Sequence, residues 1–272
     1  VGLGRFGGGI GVTRWLASQG ARVTVSDRAP AEKLQKAVQR VATAGVALHL
    51  GEHDESDFLS ADLLVVSPAV PKDLPFIAAA ERAGVPRTSE INLLLRRCPA
   101  PVVGITGTVG KSTTTAMTGE ILSASRTTHV GGNIGGSLLE SLDLIRPADA
   151  VVLELSSFQL EDLPLAEVSP HVALVTNLQP NHLDRHGTFA AYADAKKNIF
   201  RFQDPADTLI LNRAAEELAA WTREAPGRVE YFDPAGRPFE LSVPGSHNQA
   251  NAQAAWAAAR AMGAERQQAA DA

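Results

Sequence analysis

One stretch of the sequence constrains the fold more than any other: TGTVGKS at residues 106–112. It follows the apolar run 102–105 and precedes residues 113–122, which have the pattern of a helix. A strand, a glycine turn and a helix in this order are the setting in which such a loop cradles phosphate groups. Backbone N–H groups point into the hollow of the loop, and the positive end of the helix dipole adds to them. The stretch therefore predicts a nucleotide triphosphate site in an α/β domain.

The side chains of the loop fit the same interpretation. Lys111 supplies a mobile cation for the outer phosphates, and Ser112 supplies a hydroxyl for a magnesium ion. The spacing departs from the strict pattern because Ile105 stands where the first glycine is expected and Gly104 lies one place too early. An ordinary glycine turn before a helix is the alternative. The predicted ATP-binding residues of this loop are Gly107, Thr108, Gly110, Lys111, Ser112 and Thr113.

Size and composition exclude several classes of protein. The chain has 272 residues, of which 44% are hydrophobic and 20% charged, enough for two globular α/β domains. A net charge of −5 disfavours a nucleic-acid partner. The single Cys98 excludes an internal disulfide, and no apolar run is long enough to span a bilayer. With no signal-peptide pattern, a cytoplasmic monomer is the expectation.

The sequence begins with Val1, directly before a glycine turn, and the strand that should precede this turn is missing. We therefore expect the chain to be a fragment at this end.

The first part of the chain has the pattern of a Rossmann-like domain. Residues 2–7 have the spacing G-x-G-x-x-G, residues 10–18 form a helix pattern, and residues 22–26 form a strand pattern. Asp27 follows that strand 20 residues after Gly7, the distance at which such a fold presents an acid to a ribose. Either a nucleotide is bound at this turn, or the glycines only permit tight helix-to-strand packing.

Alternating strands and helices then predict a doubly wound first domain, with a helix at 31–44, a strand at 63–66 and a helix at 76–83. Pro99 and Pro101 mark its end, because proline stiffens a connection that cannot continue a helix. The predicted domains are therefore a substrate-binding domain at residues 1–98 and a central P-loop domain at residues 99–272, with a mainly parallel sheet.

Two predicted strands of the second domain end in or lead to polar residues. Glu154 ends the buried strand 150–154, from which an acid commonly reaches the metal of a phosphate loop. His182 follows the strand 172–176, and imidazole can ligate a metal or carry protons. The carboxyl ends of parallel strands share one edge of a sheet, so we expect both residues on the same rim as Lys111. A solvated acid and a solvated loop histidine are the alternatives.

Two helix patterns complete the predicted site. Tyr192 and Lys196 are four residues apart in the helix pattern 189–200 and so share a face. Asn248 and Asn251 are three apart at the start of an alanine-rich helix, where their amides could read the edge of a base. Helix capping alone would also explain Asn248. Residues 131–136, a glycine-rich stretch with Asn133 as its one polar side chain, are expected to form a flexible loop.

Taken together, these motifs resemble the Mur ligases, ATP-dependent amide-forming enzymes of peptidoglycan synthesis, over essentially the whole chain. The resemblance is carried by residues 107–112, 132–135, 182 with 184–187, Tyr192 with Lys196, and 245–248 with Asn251. Residues 154–160, ELSSFQL, resemble the members that add D-glutamate.

The resemblance implies that ATP phosphorylates the carboxylate of UDP-N-acetylmuramoyl-L-alanine and that the amine of D-glutamate attacks the acyl phosphate. It implies catalytic roles for Lys111, Lys196 and His182, with Lys196 carbamylated so that it can support a metal. The implied magnesium ligands are Ser112, Glu154, His182 and Lys196. The implied contacts with the UDP substrate come from Gly4, Arg5, Phe6, Asp27 and Asn133, and those with adenine from Asn248 and Asn251.

Three positions depart from the family pattern: Val109, Asn181 and Ala69. Nothing in the chain corresponds to the third domain of the family, so we expect a fragment that binds nucleotides without turnover. Two alternatives stay open, a nucleotide-binding protein that forms no bond and a family member for another amino acid. A nicotinamide dehydrogenase would explain residues 2–7 and Asp27 but not the Gly-Lys-Ser loop.

Overall fold

A computed structural model describes residues 1–4 and 7–271. They form two compact units, each with its own core. The first unit comprises Val1–Arg97 and Gly136–Asp143, and the second comprises Cys98–Gly135 and the chain from Leu144 onward. The sequence-based domains, with a boundary after Cys98, stay a prediction, and they did not include the return of Gly136–Asp143 to the first unit.

The first unit contains two pairs of parallel strands and five α-helices among its described residues. Its strands are β1 (Thr24–Asp27), β2 (Ala47–Leu50), β3 (Leu64–Val65) and β4 (Arg87–Thr88), paired β1 with β2 and β3 with β4. Its helices are α1 (Gly8–Ser18), α2 (Gln35–Val41), α3 (Glu55–Leu59), α4 (Pro75–Arg82) and α5 (Glu90–Arg97).

Val1 and Gly2 connect the two strand pairs. The Val1 amino group donates to the Val65 carbonyl at 2.7 Å, and the Ser67 N–H donates to the Val1 carbonyl at 3.0 Å. On the other side, the Gly2 N–H donates to the Ser26 carbonyl at 2.8 Å. These bonds place the start of the chain where a Rossmann-type sheet has its central strand, with β1 and β2 on one side and β3 and β4 on the other.

A six-stranded parallel sheet forms the centre of the second unit, in the order β10-β9-β8-β5-β7-β6. Its strands are β5 (Val102–Thr106), β6 (Thr128–Gly132), β7 (Ala150–Glu154), β8 (Val172–Val175), β9 (Thr208–Asn212) and β10 (Arg228–Phe232). The helices of this unit are α6 (Lys111–Ser123), α7 (Ser157–Leu160), α8 (Leu183–His186), α9 (Phe189–Arg201), α10 (Ser246–Ala261) and α11 (Arg266–Asp271).

The core of the second unit explains its sequence bias. Apolar side chains of β5, β7, β8 and β9 form one buried cluster with α6 and α10. The alanines of α10 belong to this cluster, and Ala255 and Ala258 are fully buried. Small side chains let a helix approach its neighbours closely, so the alanine-rich segment is a packed core helix.

Among the described residues, no helix combines the length and the apolar composition that a membrane span requires.

Two local predictions are wrong. The helix expected at 31–44 is interrupted, because its two ends, Ala31–Lys33 and Ala42–Ala44, are 3-10 turns on either side of α2. The loop expected at 131–136 is partly a strand, because Gly131 and Gly132 belong to β6 and pair with β7. Strand pairing at a sheet edge is a long-range interaction, and glycine content alone does not reveal it.

Leu174→Ala should lower the free energy of unfolding by about 2–5 kcal/mol, because it leaves a cavity in the shared core of β8, α6 and α10. Leu144→Ala is the matched control: its side chain is 71% exposed, so its effect should stay within about 0.5 kcal/mol. Urea unfolding of the second unit measures both. Equal effects of the two substitutions would contradict the assignment of the core.

Candidate phosphate-binding site

The predicted phosphate loop lies between β5 and α6, at the carboxyl edge of the parallel sheet. Gly107 and Gly110 have φ angles of 144° and 83°, which residues other than glycine rarely adopt. A Cβ at Gly107 would overlap the Thr176 hydroxyl, and one at Gly110 would overlap the Asn251 side-chain oxygen. Gly104, by contrast, lies within β5, where a Cβ would overlap Pro170. The loop therefore begins at Gly107, which accounts for the irregular spacing.

Helix α6 begins at Lys111 and is 13 residues long. The Thr114 N–H donates to the Gly110 carbonyl at 2.9 Å, which closes the first turn. The N–H groups of a first helical turn have no carbonyl within the helix to bind, so they and the helix dipole favour an anion. Ser112 is exposed at this end of the helix, where its hydroxyl can reach a ligand.

Two lysines and one carboxylate interact electrostatically next to the loop. Lys111 Nζ donates to the Thr108 carbonyl at 2.9 Å, and burial lowers the pKa of Lys111 while Glu154 raises it. Lys196 Nζ donates to the Gly107 carbonyl at 2.9 Å and to the Thr106 hydroxyl at 3.1 Å. Burial, and secondarily the Lys111 charge, lowers the pKa of Lys196 to about 7, while Glu154 opposes the shift.

Glu154 ends β7 and is buried, as the apolar strand pattern predicts. Its Oε1 accepts a hydrogen bond from Asn133 Nδ2 at 2.7 Å, whereas its Oε2 is buried without a hydrogen-bond partner in the described part of the chain. Buried carboxylate oxygens are normally satisfied, and an unsatisfied one suits a cation. The donor set at this edge thus fits magnesium.

Magnesium is usually held by one or two carboxylates together with substrate phosphates and water. Residues 1–4 and 7–271 contain no group of three His, Cys, Asp or Glu side chains that could hold a metal ion. Glu154 can contribute one carboxylate, and Ser112 can contribute a hydroxyl. The magnesium ligands predicted from the sequence stay a prediction.

Tyr192 and Lys196 lie on one buried face of α9, as their spacing predicts. The Lys196 ammonium lies 4.8 Å from the centre of the Tyr192 ring. The Tyr192 hydroxyl lies 3.1 Å from the Thr108 hydroxyl, so this face of α9 contacts the phosphate loop. Burial raises the pKa of Tyr192, which keeps the phenol neutral.

His182 is exposed at the start of α8, and its φ of 51° is unusual for a residue other than glycine. Such backbone strain often marks a functional site. Its ring lies 4.9 Å from the Phe158 ring, which follows Glu154 by four positions. The packing thus brings the chain after β8 to the chain after β7, although a shared metal for His182 and Glu154 stays a prediction.

The sequence predicted no role for His186, whose side chain is 2% exposed at this edge. Its Nε2 lies 2.9 Å from the Ser157 hydroxyl, and its Nδ1 lies 3.1 Å from Glu161 Oε1. Its ring stacks on Phe158 at 5.4 Å, and burial lowers its pKa. His186 therefore joins α8 to α7. The available signal was a second histidine four residues after His182.

The two asparagines proposed to contact adenine have other contacts in the structure. Asn248 is buried, and its Nδ2 lies 3.3 Å from the carbonyls of both Val243 and Pro244. The Oδ1 of Asn251 accepts from the Thr114 hydroxyl at 3.5 Å. Asn248 thus stabilises the turn before α10, and Asn251 lies against the start of α6. Their contact with a base stays a prediction.

In the first unit, Asp27 holds the glycine turn. Its Oδ2 accepts from the Gly4 N–H at 3.2 Å, and its Oδ1 accepts from the Ala29 N–H at 2.8 Å. Arg5 and Phe6 lie outside the described residues. The roles of Gly4, Arg5, Phe6, Asp27 and Asn133 in binding a UDP substrate stay predictions.

A parallel α/β sheet with a glycine loop, a helix N-terminus and an adjacent lysine at its carboxyl edge defines the P-loop class of proteins. Comparison with known families narrows this class. Residues 105–237 match the Mur ligase middle domain, and residues 1–89 match the Mur ligase MurD-like N-terminal domain. The chain belongs to the Mur ligase family.

Curated relatives agree with this assignment. A UDP-N-acetylmuramoylalanine--D-glutamate ligase of Symbiobacterium thermophilum is 44% identical over 94% of this chain and 63% of its own length. The ligase of the same name from Geobacter metallireducens is 46% identical over 78% of this chain and 46% of its own. The chain thus spans less than two thirds of the length of these relatives.

Solved structures with low identity support the fold alone. The UDP-N-acetylmuramate:L-alanyl-gamma-D-glutamyl-meso-diaminopimelate ligase of Neisseria meningitides matches with a TM-score of 0.72 and 19% identity, covering 99% of this chain and 94% of that one. A MurF ligase of Thermotoga maritima, solved with ADP, matches with a TM-score of 0.56 and 15% identity, covering 94% of this chain and 64% of that one.

Lys196→Met should change the pH dependence of stability. The pKa of Lys196 is about 7 in the folded chain and 10.5 for an ordinary lysine, so unfolding takes up a proton between these values. Below the pKa of the folded state, folding carries the whole free-energy cost of burying the ammonium. That cost disappears as the pH rises toward the pKa of the unfolded state. Relative to the variant, the wild type should therefore gain about 2–3 kcal/mol from about pH 6 to about pH 9.

Urea unfolding in CO2-free buffer measures this difference. Lys197→Met, which removes the next lysine of α9 from its exposed pair with Glu224, controls for the loss of one positive charge. A stability difference between Lys196→Met and wild type that does not change with pH would contradict the lowered pKa.

Proposed function

We propose that this chain is the nucleotide- and substrate-binding part of a cytoplasmic, monomeric, ATP-dependent ligase that adds D-glutamate to UDP-N-acetylmuramoyl-L-alanine. The observation that carries the proposal is the charge arrangement at the carboxyl edge of the sheet. Lys111, Lys196 and the unsatisfied Glu154 oxygen interact beside a glycine loop that begins a helix. The curated relatives that match most of the chain are named as ligases of this specificity.

The reaction begins with transfer of the γ-phosphoryl group of ATP to the carboxylate of the UDP-linked substrate. The bond between the γ-phosphorus and the bridging oxygen breaks, a carboxylate oxygen forms the new bond to phosphorus, and ADP leaves. Charge on the phosphoryl oxygens is stabilised mainly by fixed cations. Lys111 supplies one, and the N–H groups of the first turn of α6 supply dipoles.

The amine of D-glutamate then attacks the carbonyl carbon of the acyl phosphate. A C–N bond forms, the C–O bond to phosphate breaks, phosphate leaves, and the amine loses a proton to solvent. Lys111 and the start of α6 hold the leaving phosphate, so the same donors serve both steps. Asn133 holds Glu154 through Oε1 and leaves Oε2 for a metal.

Magnesium, when bound, would neutralise phosphoryl oxygens and orient the reacting carboxylate. Glu154 and Ser112 would hold it, with His182 and a modified Lys196 as further ligands. Buried next to Lys111, an unmodified Lys196 adds a second positive charge, which is unfavourable there. A carbamate would replace that repulsion with attraction, and its oxygens suit magnesium.

The chemistry of Lys196 supports this modification. Only a neutral amine attacks CO2, and a pKa of about 7 leaves a large neutral fraction near neutral pH. The amine nitrogen forms the bond to the CO2 carbon and loses one proton to solvent, which yields a carbamate anion. Tyr192 and the Thr106–Gly107 segment surround the amine and keep it in place.

The protein encoded by the complete reading frame that contains this chain should release phosphate from ATP only with both UDP-N-acetylmuramoyl-L-alanine and D-glutamate present. Lys111→Met should lower kcat by about 10²–10³-fold, because it removes a fixed cation from the transferring phosphoryl group. Lys197→Met, on the surface of α9, is the control and should leave kcat unchanged. A coupled phosphate assay measures all three proteins.

Equal phosphate release with L-alanine or L-lysine in place of D-glutamate would discard the proposed specificity. Nucleotide binding without turnover under any of these conditions would favour a non-catalytic nucleotide-binding protein.

A carbamate at Lys196 should appear as a ¹³C signal when the protein is equilibrated with ¹³C-bicarbonate. The signal should vanish in Lys196→Met and persist in Lys197→Met, which retains the buried amine. Nuclear magnetic resonance and intact mass under non-acidic conditions provide two readouts that do not require activity. A signal unaffected by Lys196→Met would exclude this lysine as the modified residue.

A further inference from the structure

The segment that follows β8, residues 176–179, forms a brace against the outer side of the phosphate loop. Its central residue is Asn177, at the carboxyl end of the strand next to β5. Thr176 is 4% exposed, and its carbonyl accepts from Asn212 Nδ2 at 2.8 Å, so the brace is itself anchored to β9. Neither the sequence patterns nor the proposed mechanism assigns a role to this segment.

The Asn177 carboxamide binds the backbone of two loop residues at once. Its Oδ1 accepts from the Val109 N–H at 3.0 Å and from the Thr108 N–H at 3.2 Å. Its Nδ2 donates to the Val109 carbonyl at 3.0 Å. The Thr176 hydroxyl donates to the same carbonyl at 2.8 Å. Both polar backbone groups of Val109 are therefore bound by the brace.

The Thr108 side chain is bound by the same segment. Its hydroxyl accepts from the Gln179 N–H at 2.9 Å and lies 3.0 Å from the Gln179 carbonyl. The Thr108 N–H also donates to the Asn177 carbonyl at 3.2 Å. Because the brace binds residue 109 through its backbone, the valine side chain, which is 57% exposed, takes no part in holding the loop.

These bonds distinguish two sets among the N–H groups of the loop and the start of α6. Those of Thr108 and Val109 face Asn177, whereas those of the first turn of α6, at Lys111, Ser112 and Thr113, have no acceptor within the described part of the chain. Only the second set can bind a phosphate without first breaking a bond inside the protein. Holding the first set in place keeps the loop in one conformation before the ligand arrives.

We propose that Asn177 is a positioning residue that presets the phosphate loop, so that polyphosphate is bound by the start of α6 and not by the N–H groups of Thr108 and Val109. This inference rests on the proposed nucleotide site. In the alternative arrangement, the Asn177 side chain competes with the ligand, because Asn177 Oδ1 would occupy the place that a phosphate oxygen takes in the bound state. The two arrangements predict opposite effects of removing the carboxamide.

Asn177→Ala should weaken the binding of ADP about tenfold, which corresponds to about 1.4 kcal/mol, since the loop must then be ordered by the ligand. Thr176→Val, which keeps the shape of the side chain and removes one donor, should weaken it about threefold. Isothermal titration calorimetry of this chain without magnesium measures both. Asn181→Ala is the matched control, because Asn181 lies in the same loop and binds the His182 N–H, not the phosphate loop.

A positioning role differs from a merely structural one in two further readouts. Adenosine has no phosphate, so its affinity should be unchanged in Asn177→Ala while that of ADP falls. The backbone amide signals of Thr108 and Val109 should shift and exchange faster with solvent in that variant, and those of α10 should not. Urea unfolding identifies any variant that fails to fold, in which case Thr176→Val carries the test.

Tighter ADP binding by Asn177→Ala would overturn the proposal in favour of the competitor arrangement. ADP affinities equal to wild type in both variants, or an equal loss for adenosine and ADP, would overturn it as well. A wild-type chain that binds neither ADP nor ATP would overturn the proposed nucleotide site itself, and that result is distinct from any effect of the substitutions.

Discussion

The parallel pairing of β5 with β7 and β8 is the constraint on which the rest of the second unit depends. Parallel strands end at the same edge, so the segments that leave β5, β7 and β8 meet there whatever their separation in sequence. One segment is the phosphate loop, the second carries Glu154, and the third carries Asn177 and leads to His182. Each brings a different chemistry: a helix dipole with a lysine, a carboxylate, and an amide that binds backbone.

In the protein alone, the buried charges at this edge of the sheet are not fully compensated. Burial lowers the pKa of both Lys111 and Lys196, and the Lys111 charge lowers that of Lys196 further. The Glu154 carboxylate beside them has an oxygen without a hydrogen-bond partner among the described residues. Buried charge is costly unless it is compensated, so a polyanion with its cation is the ligand that best completes the site. The proposed ligase mechanism, the modification of Lys196 and the role of magnesium all derive from this imbalance.

Much of the fold and part of the site could be predicted from local patterns. The buried run 150–154, the helix pattern at 113–122 and the shared face of Tyr192 and Lys196 follow from periodicity, and the structure contains all three. The brace at Asn177 could not be predicted this way. The bonds from Asn177 to the loop join residues 68 or more positions apart, and an asparagine after a strand has many local uses.

The sequence by itself determined the strand, glycine loop and helix of the phosphate site, the buried strands at 150–154 and 172–176, and the presence of an acid and a histidine after them. These are local properties of spacing and residue type. Only the tertiary structure decided which polar atoms are already bound and which are left for a ligand. The ligand contacts predicted for Asn248 and Asp27 stay predictions. The side chains of Asn248 and Asp27 bind backbone, whereas Glu154 Oε2 has no hydrogen-bond partner among the described residues. That distinction depends on three-dimensional packing, because burial and hydrogen bonding are shared among segments distant in the chain.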